Sequence, residues 1–227
     1  MATNKVPENL KQRLKESYDA IAPKYNEWTI LHSQYRLYYL DKLLNLLNAT
    51  EKPQVSTLEL GCGCGIPVTQ KLLSHETYHV TANDLSSTQL EAARENLHSD
   101  AAGDRLRLVP GDMTELSFAA GSLDAVIGMY SLIHLPSSEQ VLMIEKIVGW
   151  LKPGGYMLAN FTEETIGGVV NEKWLDDKGW VYWSGLGAEN TVQVIKDAGL
   201  NVVVSEVTED VVDASFLWVL AKKGLQL

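Results

Sequence analysis

The chain has 227 residues, 45% of them apolar, with 19 Lys and Arg against 29 Asp and Glu for a formal net charge of −10. That length supports one large domain around one core, and the acidity excludes a nucleic-acid binder, which needs a basic face, and disfavours an anionic membrane surface. No apolar run approaches the roughly 18 residues of a membrane span, the start MATNKVPENLKQRLKES lacks a signal peptide's apolar core, and Cys62 and Cys64 are too few and too close for a disulfide framework or a structural zinc site, so a cytoplasmic protein is expected.

Two helices open the chain. Pro7-Glu8 starts one whose Leu10, Leu14, Tyr18 and Ile21 share a face, and Pro23 ends it. A second is expected from about Ser33 to Leu47, with Leu37, Leu40, Leu44 and Leu47 as its buried stripe. Strand and helix then alternate. Val55 to Leu60 is a buried strand leading into Gly61-Cys62-Gly63-Cys64-Gly65, and Pro67 suits the first turn of the helix after it. Tyr78 to Ala82 is a second strand, closing on Asn83-Asp84; Ser86 with Gln89 forms a capping box for a helix to Leu97. Leu106 to Val109 is a third strand, ending at Pro110-Gly111-Asp112, and Leu123 to Tyr130 a fourth, with the long apolar character of a sheet centre. Ser137 with Gln140 repeats the capping pattern for a helix halted at Lys152-Pro153-Gly154-Gly155, and Tyr156 to Phe161 is the fifth strand.

A stretch without regular pattern follows from Thr162 to Asn190, then a helix from Thr191 to Ala198. Two β segments, Val202 to Val207 and Phe216 to Ala221, have no helical pattern between them and so pair as an antiparallel hairpin. The alternation gives a doubly wound α/β sheet with helices on both faces. Residues 1–50 form an N-terminal helical cover and 51–227 the core, with an insertion at about 162–190.

In such sheets ligands bind beyond the carboxyl ends of the strands, and three of those ends carry suitable chemistry. The glycine loop lets backbone approach a ligand closely, or is only a tight turn. Its spacing is Gly-x-Gly-x-Gly after an acid, with Ile66 where a dinucleotide fingerprint wants its third glycine. Asp84 can accept from both hydroxyls of a ribose, or cap a helix. Asp112 can take the exocyclic amine of an adenine while Met113 packs on the ring, or Gly111-Asp112-Met113 is a plain turn. Together the three outline an adenosine site.

Glu-Leu-Gly-Cys-Gly-Cys-Gly, then Asn-Asp-Leu-Ser, Gly-Asp-Met, Leu-Asp-Ala-Val-Ile and Leu-Lys-Pro-Gly-Gly resemble, in order and spacing, the class I S-adenosylmethionine-dependent methyltransferases. Within them the chain looks like the small-molecule branch of ubiquinone-biosynthesis-type and secondary-metabolite enzymes, whose N-terminal cofactor cover Tyr18-Asp19-Ala20-Ile21-Ala22-Pro23-Lys24-Tyr25 resembles. The resemblance implies a Rossmann-like seven-stranded sheet in order 3-2-1-4-5-7-6 with strand seven antiparallel. It also implies S-adenosyl-L-methionine as cofactor and S-adenosyl-L-homocysteine as product. By the same resemblance Gly61 and Gly63 flank the methionine part, Asp84 holds the ribose, Asp112 and Met113 the adenine, and Leu85 the other adenine face. Met129, where strand four ends, belongs to the same set. Tyr25 can offer its ring to the sulfonium or its hydroxyl to the amino-acid end. Arg36, on the polar side of the second helix, either binds the methionine carboxylate or is a solvated surface arginine.

Methyl transfer from a sulfonium needs in-line attack by a lone pair, and a base only where the acceptor is protonated at neutral pH. His134, just past strand four, is placed to be that base or a pocket wall, with His32 a second choice. Half of the six tryptophans fall in ten residues. Of that segment Trp174, Tyr182 and Trp183, with Trp180, either line an acceptor pocket or pack a small lid on the core. No metal is expected. The expected function is methylation of a small metabolite on O, N or S by a monomer or homodimer. The competing readings are a nicotinamide-dependent oxidoreductase, which Ile66 and Gly-Asp-Met disfavour, and a methyltransferase-like binding subunit without turnover.

Overall fold

A computed structural model describes residues 6–49, 51–98, 102–211 and 214–225; residues 1–5 and 50, at the two ends of the expected cover, lie outside them, as do 226–227 of the expected core. In chain order the elements are α1 (Leu10–Thr29), α2 (Ser33–Leu47), β1 (Val55–Leu60), α3 (Val68–Leu73), β2 (Tyr78–Asp84), α4 (Ser87–Asn96), β3 (Leu106–Pro110), β4 (Leu123–Gly128), α5 (Ser137–Trp150), β5 (Leu151–Thr162), β6 (Thr165–Asn171), β7 (Val181–Leu186), α6 (Ala188–Asp197), β8 (Leu200–Glu209) and β9 (Ser215–Lys223). Seven strands form one sheet in the order β3-β2-β1-β4-β5-β9-β8, and β6-β7 form a separate pair. The strands from β3 to β5 run parallel, while β9 is antiparallel to both β5 and β8. Counted within the large sheet, β8 and β9 are its sixth and seventh strands, so the expected order is found.

The sheet is covered on both faces because its central strands are apolar on both; every residue of β4 is buried. One core packs Tyr39, Leu40, Leu43 and Leu44 of α2 and Leu72 of α3 on it, the other Met143, Ile144 and Ile147 of α5 and Ile195 of α6. Among the described residues no helix is long and apolar enough to cross a membrane.

Several local expectations are corrected. Pro23 does not end α1, which runs on to Thr29. The proline lies exposed while Ile21 and Ala22 are buried, so it forfeits one backbone bond on the solvent side and the packed face carries the helix past it. Tyr25, Trp28 and Thr29 thereby ride on a helix. Arg36 is not on a polar face; it belongs to the buried stripe of α2 with Tyr39, Leu40, Leu43, Leu44 and Leu47, and Leu37 is only half-buried. Ser137 does not cap α5, whose N-cap Pro136 offers no side-chain bond. Instead Ser137 Oγ donates to Ser184 Oγ, and Gln140 Nε2 donates to the carbonyls of Leu135 and Ser184, fastening β7 to the helix. Ser86 does cap α4, its Oγ accepting the Gln89 N–H, but the Gln89 amide makes no return bond. The 162–190 segment, read as irregular, holds the β6-β7 pair. Its alternation is obscured by Gly167-Gly168 and by a register shift between Ile166 and Val169.

Asp19 ties the cover to the core. Its carboxylate accepts from Ser86 Oγ at 2.6 Å and from the Thr88 N–H at 3.0 Å, at the N-terminus of α4. Burial opposes its ionisation, but hydrogen bonds from Lys15, Ser86 and Thr88 outweigh that and bring its pKa to about 2.

Candidate active site

The carboxyl ends of β1, β2, β3 and β4 surround a cavity roofed by α1 and α2. Gly61, Gly63, Asp84, Leu85, Asp112, Met113, Met129, Tyr25, Arg36 and His134 all line it, so the nine residues expected to hold the cofactor meet at one place. The glycine loop is shaped by its backbone. Gly61, Gly63 and Gly65 all have positive φ, which larger residues rarely adopt. A Cβ on Gly61 would lie 2.5 Å from Ser131 Cβ, while one on Gly63 would meet nothing closer than Gln89 Oε1 at 3.9 Å. Gly61 is therefore required by packing, and Gly63 leaves its space to the cavity.

Asp84 accepts the Gly63 N–H at 2.7 Å and the Ser86 N–H at 2.9 Å, bracing the glycine loop against the start of α4. Desolvation in the enclosed cavity outweighs these bonds and raises its pKa to about 6. Asp112 caps the turn after β3 by accepting the Thr114 N–H, and Lys11 of α1 stands 3.5 Å from its other oxygen. Glu59, before the glycine loop, is buried and accepts from Thr69 Oγ1; burial raises its pKa to about 8.

Several polar groups here await a partner. Gln89 (both amide atoms), Ser131 Oγ and Asn26 Oδ1 line the cavity, are buried, and bond to nothing among the described residues. The Arg36 guanidinium, also buried, is held by Thr29 Oγ1 at 2.6 Å and lies 5.0 Å from the Tyr130 ring centre, with no carboxylate in ion-pairing range among the described residues. Buried polar groups left without partners are costly, so this set fits a ligand that carries a carboxylate, an amine and hydroxyls.

A second, roomier cavity adjoins the first, and Tyr18, Tyr25, Arg36, Tyr130 and His134 line both. Its walls are aromatic: Trp28, Trp174, Trp183 and Phe216. Trp174, in the loop between β6 and β7, is the hub, its ring centre 5.5 to 5.8 Å from those of Tyr18, Tyr25, Trp28 and Trp183. His32 lines this cavity too, whereas Tyr182, expected among the acceptor residues, is buried and lines neither. Tyr182 acts through its carbonyl, which accepts the Nδ1 hydrogen of His134 at 2.8 Å. The sequence reading missed Tyr18, Lys11, Gln89 and Tyr130 as site residues. The αβ pattern located strand ends but could not tell which face of α1 meets them.

Residues 57–155 match the family described as "Methyltransferase domain". Among curated proteins the chain is similar to the sterol 24-C-methyltransferase erg-4 of Neurospora crassa, 31% identical over 46% of this chain and 27% of that protein. Methyltransferase GfsG of Streptomyces halstedii is 33% identical over 43% and 34% of the two chains, and the demethylmenaquinone methyltransferase of Leptospira interrogans 27% over 76% and 72%. The matched region thus spans about a quarter to a third of the first two relatives. Among solved structures, the 1,6-didemethyltoxoflavin-N1-methyltransferase of Burkholderia thailandensis, with S-adenosylhomocysteine bound, is 17% identical with a TM-score of 0.61 over 90% of this chain and 88% of that one. The [4+2]-cyclase SpnF is 16% identical with a TM-score of 0.74 over the whole of both chains. At these identities the structural likeness shows the fold alone.

Proposed function

We propose, from the match of residues 57–155 to the methyltransferase domain family and from the site's geometry, that the protein is a class I S-adenosylmethionine-dependent methyltransferase and transfers a methyl group from S-adenosylmethionine to a small aromatic acceptor. The observation that carries this reading is the shared wall of Tyr18, Tyr25, Arg36, Tyr130 and His134 between a polar cavity and an aromatic one. A donor in the first and an acceptor in the second meet there without crossing solvent. The bound cofactor supplies a methyl group on a cationic sulfur.

The protein's own contribution is binding, alignment and exclusion of water. On this reading Asp84 takes the ribose hydroxyls, Asp112 the adenine amine, and Met113 and Leu85 the two adenine faces, with Met129 packed beneath. Gly61 and Gly63 let the methionine part lie against backbone. Arg36 pairs with the carboxylate, which supplies the partner its buried charge lacks. Tyr25 turns its ring to the sulfonium. Trp174 and Trp183, with Trp28, enclose the acceptor, and His134 orients the Tyr18 hydroxyl at the transfer point. The acceptor is a metabolite, as in secondary metabolism, and the reaction belongs to the cytoplasm, where Cys62 and Cys64, both free, stay reduced. A chain of net charge −10 disfavours a nucleic-acid acceptor. Calorimetry with S-adenosylhomocysteine, followed by a screen of aromatic metabolites for S-adenosylhomocysteine release, tests the proposal. No binding of the cofactor product would refute it.

A further inference from the structure

A buried hydrogen-bonded group closes one side of the aromatic cavity. His32, in the turn between α1 and α2, has Nδ1 2.8 Å from Asp210 Oδ2, and the Tyr130 hydroxyl donates to the same oxygen at 2.8 Å. The His32 and Asp210 side chains are only 2% and 3% exposed. Burial alone would raise the Asp210 pKa, but the bonds from His32, Tyr130 and the Val211 N–H hold it below the usual carboxylate range. An ionised carboxylate only accepts, so the hydrogen of this bond sits on His32 Nδ1, and in the neutral imidazole that leaves Nε2 as the ring's acceptor. That Nε2 is buried and has no partner among the described residues.

We infer that His32, oriented by Asp210, is the general base of this site, and that the acceptor is an aromatic compound methylated on a hydroxyl. The inference rests on the methyl-transfer reading and deepens it. The two histidines on the aromatic cavity differ in one respect that decides the matter. His134 has Nδ1 bonded to the Tyr182 carbonyl and Nε2 to the Tyr18 hydroxyl, so neither nitrogen is free, and an imidazolium there would have no counter-charge. An imidazolium at His32 is paired at once with Asp210. The arrangement of carboxylate, imidazole and reacting hydroxyl is the general one by which a base is held in the productive tautomer.

In the step, the acceptor's O–H proton passes to His32 Nε2 while an oxygen lone pair forms the new C–O bond. The C–S bond breaks with its electron pair staying on sulfur, and His32 then returns the proton to solvent. Tyr130 acts as a positioning residue. It holds a left-handed φ of 55°, a conformation costly for a bulky side chain, and its N–H is anchored to Asn160 Oδ1 at 2.6 Å. That backbone turns the phenol towards Asp210. Trp28 leans on the His32 ring, centres 4.3 Å apart, and lines the same cavity, so an acceptor reaches Nε2 only beside or in place of that indole. The other charged or titratable groups facing this space are Tyr25, Arg36, Glu163 and Glu164 and the Tyr18–His134 pair.

The test uses 4-nitrophenol, whose anion alone absorbs in the visible, with the full chain saturated by S-adenosylhomocysteine. Bound probe should ionise at least about one pH unit below free probe. That shift should vanish in His32→Gln and in Asp210→Asn, which keeps the shape of the carboxylate, and shrink in Tyr130→Phe, with S-adenosylhomocysteine affinity within about twofold of wild type. Should His32→Gln fail to fold, Asp210→Asn decides. No bound probe, a bound probe that ionises as in solution, or a shift surviving in these variants overturns the inference. Failure of the wild-type protein to bind S-adenosylhomocysteine is a separate result, which removes the methyl-transfer reading itself.

Discussion

The Tyr18 hydroxyl donates to Nε2 of His134 across 2.9 Å, joining the cover helix to the turn after the central strand. Burial lowers the His134 pKa to about 4, partly opposed by its bond to the Tyr182 carbonyl and reinforced by Lys11. Burial likewise raises that of Tyr18 well above its ordinary value. Both side chains therefore stay neutral across the physiological range. In the wall between the two cavities, beside the Arg36 guanidinium, the two residues form an uncharged hydrogen-bonded pair.

If Asp84 holds the ribose as proposed, it sets how cofactor affinity depends on pH. Its pKa is raised to about 6 before ligand binds, and only the ionised form accepts two ribose hydroxyls. Below pH 6 the free protein must shed a proton to bind, so S-adenosylhomocysteine affinity should fall up to about tenfold per pH unit there. Asp84→Ala should bind at least about tenfold more weakly at neutral pH, since a charge-assisted hydrogen bond contributes roughly 1.5–3 kcal/mol. Calorimetry across pH checks both; a flat profile or unchanged affinity removes Asp84 from the ribose site.

Glu59 governs the pH dependence of stability. Its folded pKa of about 8 lies above the ordinary value of 4.5, because burial favours the protonated form. The folded state thus holds its proton more tightly than the unfolded chain. Stability from this group is complete below about pH 4.5 and is lost as pH rises to about 8. Glu59→Gln keeps an acceptor for Thr69 and cannot ionise. The variant's Tm should exceed wild type at pH 8 and converge with it at pH 5. Parallel Tm profiles would show that Glu59 does not ionise in this window.

How far the sequence foretold this site depended on which link of the chain each residue belongs to. The glycine loop, Asp84 and Asp112 stand at the ends of short strands closed by turn residues, where local pattern fixes position, and all line the cavity. Arg36 falls outside the expected stripe because a helical stripe counts apolar residues, and a buried guanidinium breaks that count. Pro23 was given too much weight, since its missing N–H matters only where the helix lacks tertiary support. The His32–Asp210 bond joins residues 178 apart in sequence, and no periodicity reports such a contact.

The glycines separate packing from ligand contact. Gly61→Ala forces a Cβ to within 2.5 Å of Ser131 Cβ at a φ of +73°, so the fold itself should suffer, by several kcal/mol if neighbours cannot move. Gly63→Ala meets open space at a φ of +55° and should cost only about 1–2 kcal/mol, while its methyl group intrudes on the cofactor. Thermal melts and calorimetry should therefore rank the two in opposite orders, Gly61→Ala worse in Tm and Gly63→Ala worse in affinity per unit of stability lost.

The Tyr18–His134 pair predicts coupled mutations. If His134 serves to orient the Tyr18 hydroxyl, Tyr18→Phe and His134→Gln remove the same interaction, so the double variant should lose little more than either single one. Each should lower kcat/KM on an acceptor found by the screen by about tenfold or less, chiefly through KM, as a wall group does. Because neither group titrates between about pH 5 and 8 in the folded protein, the pH–rate profile of both variants should keep the wild-type limbs. Steady-state kinetics of the four proteins across that range measure it. Additive losses would show that the two residues act separately. A His134→Gln enzyme with kcat reduced about 10²–10⁴-fold and its neutral limb gone would assign the base to His134 and take it from His32.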